Sequence, residues 1–203
     1  MKRIFSLVFI LSLFGMLLTT SCNHTKTKQR LAQIDTLSIL LDKTELMLNE
    51  LNQDTIAAML KNTSMMNKAI TPFVHTKLNI KERSDYFQLA GIEKQFKNYQ
   101  ADHTKNLDEL KYSRKQLADL KEDVDKHKIK DKKYDEYYQS ENTSVNNLFN
   151  LVKSSLYKAK QNIERYNNFN PVITKMMADK KIKLDVEVSD KNKKEAEGGE
   201  DDD

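Results

Sequence analysis

From Gln29 onward the chain repeats apolar positions at helical spacing. Leu31, Ile34, Leu37, Leu41, Thr44, Leu48, Leu51 and Thr55 succeed one another at intervals of three or four, with Asp35, Asp42, Lys43, Glu45, Asn49 and Glu50 largely off that stripe. Leu40, Leu46 and Met47 widen it, which predicts contact with two neighbouring helices rather than one. The pattern weakens at Asn52-Gln53-Asp54, where Asp54 is suited to cap a fresh start. Ile56, Met59, Leu60, Met65 and Met66 then carry it on until Pro72, whose ring removes a backbone donor and restricts the residue before it.

A second stripe runs through Tyr86, Leu89, Ile92, Phe96, Tyr99, His103, Leu107, Leu110, Ser113, Leu117, Leu120 and Val124, with Ser84 as the expected N-cap and Asp85 in the first turn. Residues 125–133 are nearly all charge, with Ile129 the one apolar residue, and predict a solvated turn. A third stripe, Tyr134, Tyr138, Glu141, Val145, Leu148, Val152, Ser155, Ala159, Ile163 and Tyr166, is expected to end before Pro171. Asn170 and Pro171 suit a new start, giving a short helix over about 171–180 that carries Met176 and Met177. Two segments have a strand's period instead: Val74, Thr76, Leu78 and Ile80, and Ile182, Leu184, Val186 and Val188, which together allow a short β-ribbon near one end.

The expected fold is all-α: helices over about 29–70, 84–125 and 132–169 in an elongated antiparallel three-helix bundle, each rod roughly 60 Å long at ~1.5 Å per residue. A parallel homodimeric coiled coil is the rival, because seam periodicity looks alike in both. Composition agrees with helices. Two Pro and four Gly among 203 residues are too few to turn the hairpins of a sheet protein or to cradle a nucleotide, and 32% of the chain is charged.

Charge is unevenly distributed. Residues 22–189 hold 29 Lys+Arg against 23 Asp+Glu, a net of +6, whereas residues 190–203 hold three Lys against seven acids, a net of −4. That acidic tail has nothing to bury and is expected to stay unfolded; aiding solubility is its simplest role, with binding of a basic partner or screening of the basic body as alternatives.

The first residues have the layout of an export signal: Lys2 and Arg3, then 15 almost uniformly apolar residues from Ile4 to Leu18, then Thr19-Thr20-Ser21. The apolar run is short against the roughly 20 residues that span a bilayer, so cleavage is expected. The chain's one cysteine, Cys22, comes immediately after. The segment Leu17-Leu18-Thr19-Thr20-Ser21-Cys22 resembles the lipobox of bacterial lipoproteins, in a loose form similar to that of Bacteroides-type Gram-negative bacteria, with Thr19 where Leu is commonest. The resemblance implies cleavage between Ser21 and Cys22, acylation of the Cys22 thiol, residues 22–28 as a lipidated tether, and anchoring in the cell envelope. The absence of acids in Asn23-His24-Thr25-Lys26-Thr27-Lys28 tilts the expectation towards a periplasm-facing outer-membrane position. Asp35-Thr36-Leu37 and Asp54-Thr55-Ile56 resemble the short sites at which such bacteria attach O-glycans, making Thr36 and Thr55 candidates.

Candidate chemistry is otherwise sparse. His24, His75, His103 and His127 lack neighbours at metal-site spacing, and a lone cysteine excludes an intramolecular disulfide and a Cys-based zinc cage. No nucleophile elbow, phosphate-binding glycine loop or EF-hand loop is present in the sequence. No cofactor, metal or catalytic residue is expected. His103 reads as a polar layer in the seam rather than a pH switch. The methionines Met59, Met65, Met66, Met176 and Met177 read as core filling rather than a soft-metal or client surface. The lysines of 126–133 come without interleaved aromatics, so nucleic acid is not an expected partner and a solvated loop is the simplest reading. Tyr137, pointing away from the seam of its neighbours, is the candidate partner contact. The expected function is a lipid-anchored, non-catalytic tether, scaffold or adaptor with an unidentified protein partner, self-association being left open. The alternative is a periplasmic chaperone-like carrier that holds apolar clients between helices.

Overall fold

Asn52, not Asp54, opens the second helix: its side chain accepts from the Thr55 backbone N–H at 2.9 Å. A computed structural model of the chain, which describes the backbone of residues 2–184 and the side chains of residues 25–184, contains four α-helices. They are α1 (Lys2–Leu48), α2 (Gln53–Ile70), α3 (Ile80–Asp125) and α4 (Asp131–Asp179), with one 3₁₀ turn at Thr71–Phe73 around Pro72. The chain is all-α. The single helix expected over 29–70 is therefore two, and the interruption changes the register. Ile34, Leu37, Leu41, Thr44 and Leu48 are buried as the stripe requires, but Thr55 is exposed and Ile56 takes the inward position. Leu46, expected to widen the stripe, is 71% exposed, whereas Leu40 and Met47 do pack against the core.

The start of α3 lies four residues before the expected cap at Ser84. The Asn79 side chain accepts from the Glu82 backbone N–H (3.0 Å), and Glu82 accepts from the Asn79 backbone N–H (2.8 Å). This is a reciprocal capping box that satisfies two otherwise orphan donors. It also holds the Glu82 carboxyl below its ordinary range, chiefly through the Asn79 bond, with help from Lys180.

Pro171 does not end α4. The expected helix end at 169 and the separate helix over 171–180 are one continuous element, with Pro171 inside it. A proline within a helix forfeits one backbone bond and crowds the preceding turn, at about 3 kcal/mol. Beyond it, however, Ile173, Met176 and Met177 are all buried, and burying each such side chain is worth roughly 1.5–3 kcal/mol. Burial therefore outweighs the proline.

The β-ribbon is not found. Among the described residues there is no strand: 74–77 form turns, Ile80 is 80% exposed at the start of α3, and 182–184 are irregular. Val186 and Val188 lie outside the described residues, as does the acidic tail at 190–203. Val74, Leu78 and Ile182 are nevertheless buried in one core, while Thr76 and Ile80, the other members of the first alternating segment, are exposed. Both α3 and α4 end with a left-handed residue. His127 (φ 53°) and Lys181 (φ 56°) let Lys128 N–H reach the Asp123 carbonyl (2.8 Å) and Ile182 N–H reach that of Met177 (2.9 Å). These are Schellman ends, and the second seats Ile182 in the core.

The chain divides into two compact units. In the first, made of residues up to 51 and 101–156, parts of α1, α3 and α4 share a core of Ile34, Leu37, Leu41, Leu117, Val145 and Leu148 among others. Cross-helix pairs descend along α3 as they ascend along α1: Asp35 with Lys121 (2.6 Å), Asp42 and Glu45 with Arg114 (2.8 and 2.6 Å), and the Leu48 carbonyl with His103 Nε2 (3.1 Å). His103 thus caps the last turn of α1, where carbonyls lack helical donors. The second unit, residues 52–100 and those from 157 on, joins α2 to the remaining parts of α3 and α4. Its core includes Met66, Ile70, Val74, Leu89, Ile173 and Met177. Asn62 donates to Tyr166 Oη (2.7 Å) and to Asn170 Oδ1 (3.0 Å), and Phe96 meets the Tyr166 ring edge-on.

Candidate functional site

One end of the first unit gathers segments that are far apart in sequence. Asp131, the first residue of α4, takes both Lys26 and Arg30 of α1, the latter at 2.9 Å. Hydrogen bonds from Lys26 and Arg30 hold the Asp131 carboxyl below its ordinary range. Three residues on, buried Tyr134 donates from Oη to Gln33 Oε1 (2.9 Å), lies beneath the Arg30 guanidinium (4.3 Å) and stacks on Tyr138. Burial pushes the Tyr134 phenol up to about 12. Together these contacts fix the 126–130 turn to the segment of α1 that begins four residues after Cys22. Between them lies a pocket of about 260 Å³ lined by Lys26, Thr27, Arg30, Val124, His127, Ile129 and Asp131.

The candidate contact residue Tyr137 is exposed, as its position off the seam predicts, at 51%. It borders a small depression of about 130 Å³ with Gln116, Asp119, Leu120, Asp123 and Glu141. Glu141, a polar member of the third stripe, is half-buried, and its carboxyl is pushed up by that burial and then by Glu109. Thr36 is exposed on α1, its Oγ1 donating to the Ala32 carbonyl (2.9 Å), and Thr55 is exposed in the first turn of α2. The two threonines thus lie on accessible helical faces. Cys22 and Ser21 lie within α1, and their side chains are outside the described residues.

The second unit carries a shallow groove of about 450 Å³ along one face of α2, lined by Ala57, Leu60, Lys61, Ser64, Met65 and Lys68, with Lys97 and Gln100 of α3 opposite. Beside it, Glu93 accepts from Asn67 and from Lys97 (2.6 Å). Burial pushes the Glu93 carboxyl up, but hydrogen bonds from Lys97, Asn67 and Ser64 outweigh it and hold it below the ordinary range. Of the five methionines, Met66, Met176 and Met177 are core, Met65 is in the groove wall and Met59 is half-buried. The five therefore do not form one surface.

Sequence reasoning missed the Asp131 hub. Its signal was present in the pairing of basic Lys26 and Arg30, one helical turn apart, with an acid opening another helix, but nothing local says that the two helices meet. Among the described residues, no three His, Cys, Asp or Glu side chains converge to hold a metal ion, and no helix is long and apolar enough to cross a membrane. No protein-family model, curated protein or solved structure matches this chain.

Proposed function

We propose that this protein is a lipid-anchored component of a bacterial cell envelope, cleaved before Cys22 and acylated on it, that works by contact as a non-catalytic tether, scaffold or adaptor. The observation that carries this reading is the position of Cys22 directly behind an apolar run and three small residues, and immediately before the polar, acid-free segment Asn23 to Lys28. Two or three acyl chains on that residue give stable anchoring where one would be marginal, at ~0.8 kcal/mol per buried CH₂. A periplasm-facing outer-membrane location is the reading favoured by the polar, acid-free residues behind it. Within each unit, three helical segments sharing one core support an antiparallel three-helix arrangement as the finer architecture, with exposed Tyr137 as a contact for a protein partner and Thr36 and Thr55 as glycan sites.

The deciding experiment is the intact mass of the protein extracted from its own membranes, beside a Cys22→Ala form. A mass that starts at Cys22 and includes acyl chains, lost in the variant, is the expected result. A mass without lipid overturns the anchor. The lysine-edged groove on α2 favours a second reading, a carrier of apolar clients. That reading predicts that the protein suppresses aggregation of unfolded outer-membrane proteins, which a tether does not do.

A further inference from the structure

The lysine-rich turn changes meaning once its neighbours are known. In sequence it is a hydrophilic connection about 100 residues from Cys22; in the fold, Asp131 joins it to Lys26 and Arg30. The segments 26–30 and 122–136 together hold eight Lys+Arg against six Asp+Glu. The carboxylates are consumed unevenly. Asp131 is shared by Lys26 and Arg30, and Glu122 is shared by Lys126 (2.8 Å) and Lys128 (3.4 Å), so each group of three keeps one positive charge. Asp123 borders the depression beside Tyr137, while Asp125, Asp135 and Glu136 stay exposed. Lys28, Lys130, Lys132 and Lys133 are exposed and have no ion-pair partner among the described residues. Lys26 stands one helical turn, ~6 Å along the axis, beyond Cys22.

We propose that this end of the first unit is a membrane-surface site: Lys130, Lys132 and Lys133, with Lys28, bind the phosphates of anionic phospholipids in the leaflet that holds the Cys22 acyl chains. The proposal rests on the anchored reading and adds a second membrane contact to it. Lysines near an anionic surface are attracted within a Debye length, about 10 Å at 0.1 M salt, and the ion pairs at Asp131 hold these lysines at the end of the body next to the anchor. The acyl chains supply attachment. The lysines supply orientation, since a chain anchored at one cysteine is free to tilt unless the body also touches the surface.

The test uses the lipidated protein from its own membranes, reconstituted into vesicles of phosphatidylcholine alone or mixed with phosphatidylglycerol. Exposed amines are modified by a membrane-impermeant reagent and mapped by mass spectrometry, with exposed Lys43 of α1 as internal reference. The expected result is that labelling of Lys130, Lys132 and Lys133 relative to Lys43 falls roughly threefold or more on anionic vesicles only, and returns in high salt. A Lys130→Gln/Lys132→Gln/Lys133→Gln variant is expected to stay anchored and to lose the added protection of Lys28. Equal labelling on both vesicle types, in protein whose mass carries acyl chains, overturns the surface site and leaves the anchor standing. Equal protection by soluble inorganic phosphate overturns it in favour of a small-anion pocket. A mass without acyl chains overturns both readings.

Discussion

Two residues test how well side-chain environment predicts stability. Gly91 lies inside α3 with no positive φ, and a methyl group placed there meets nothing within 4 Å. Glycine in a helix interior carries an entropic penalty with no steric benefit in return at this position, so Gly91→Ala should raise stability by about 0.5–1 kcal/mol in urea unfolding. Glu141 is the opposite case. Burial and the nearby Glu109 raise its carboxyl pKa in the folded chain. Its contribution is therefore fully present below the unfolded value near 4.5 and is lost as pH rises through the folded value. Glu141→Gln removes the charge and should be more stable than the native protein at neutral pH. Chemical unfolding at pH 7 and pH 4 should show that advantage shrinking in acid; an advantage independent of pH would contradict the assignment. The sequence put Glu141 on the apolar stripe, but only the packed structure supplied its burial and Glu109.

The helices show where local signals are sufficient. Pro72 interrupts the chain as its chemistry demands, yet Pro171 is overridden. The difference lies in the residues downstream: a 3₁₀ turn leads away from Pro72, whereas Ile173, Met176 and Met177 continue the buried face of α4 after Pro171. Pro171→Ala restores a donor for the Asn167 carbonyl and relieves ring crowding, and should stabilise the protein by about 1–3 kcal/mol with no loss of helicity by circular dichroism. A decrease in stability would mean that the proline ring itself is needed to seat Ile173. The Asn79–Glu82 capping box is legible in the sequence as Asn-x-x-Glu, but Ile80 inside it also fits an alternating strand pattern, and the two signals compete. Only every second member of that period is buried, Val74 and Leu78 but not Thr76 or Ile80, so the alternation over four positions is a coincidence of composition that does not mark a strand.

Across the whole molecule, two cores are completed by the same two helices, since α3 and α4 supply residues to both. Leu41→Ala, in the first core, and Ile173→Ala, in the second, each delete a fully buried side chain and should each cost about 2–5 kcal/mol. Because a helix that loses one core cannot keep its full length packed, both variants should lose helicity in one cooperative transition. Separate transitions for Leu41→Ala would show that the units unfold independently. The anchored reading and the membrane-surface site also belong to this scale, and the mass of the native protein decides the first of them.

The stripes of Ile34 to Leu48, Leu89 to Val124 and Tyr134 to Ala159 could be read directly, because helical burial repeats every 3.6 residues and needs no knowledge of the partner. The all-α class and the outward position of Tyr137 came from the same periodicity, and the turn after α3 from its run of charge, although Asp125 and residues 131–133 of that run belong to α3 and α4. Those features are local. Tertiary structure decided the rest: the register slip between Leu48 and Ile56, the survival of α4 through Pro171, the burial of Glu141, and above all the meeting of Lys26 and Arg30 with Asp131. Each of these depends on which surfaces come together across about 100 residues of chain, where the free energy of burial and ion pairing acts between segments that sequence spacing does not relate.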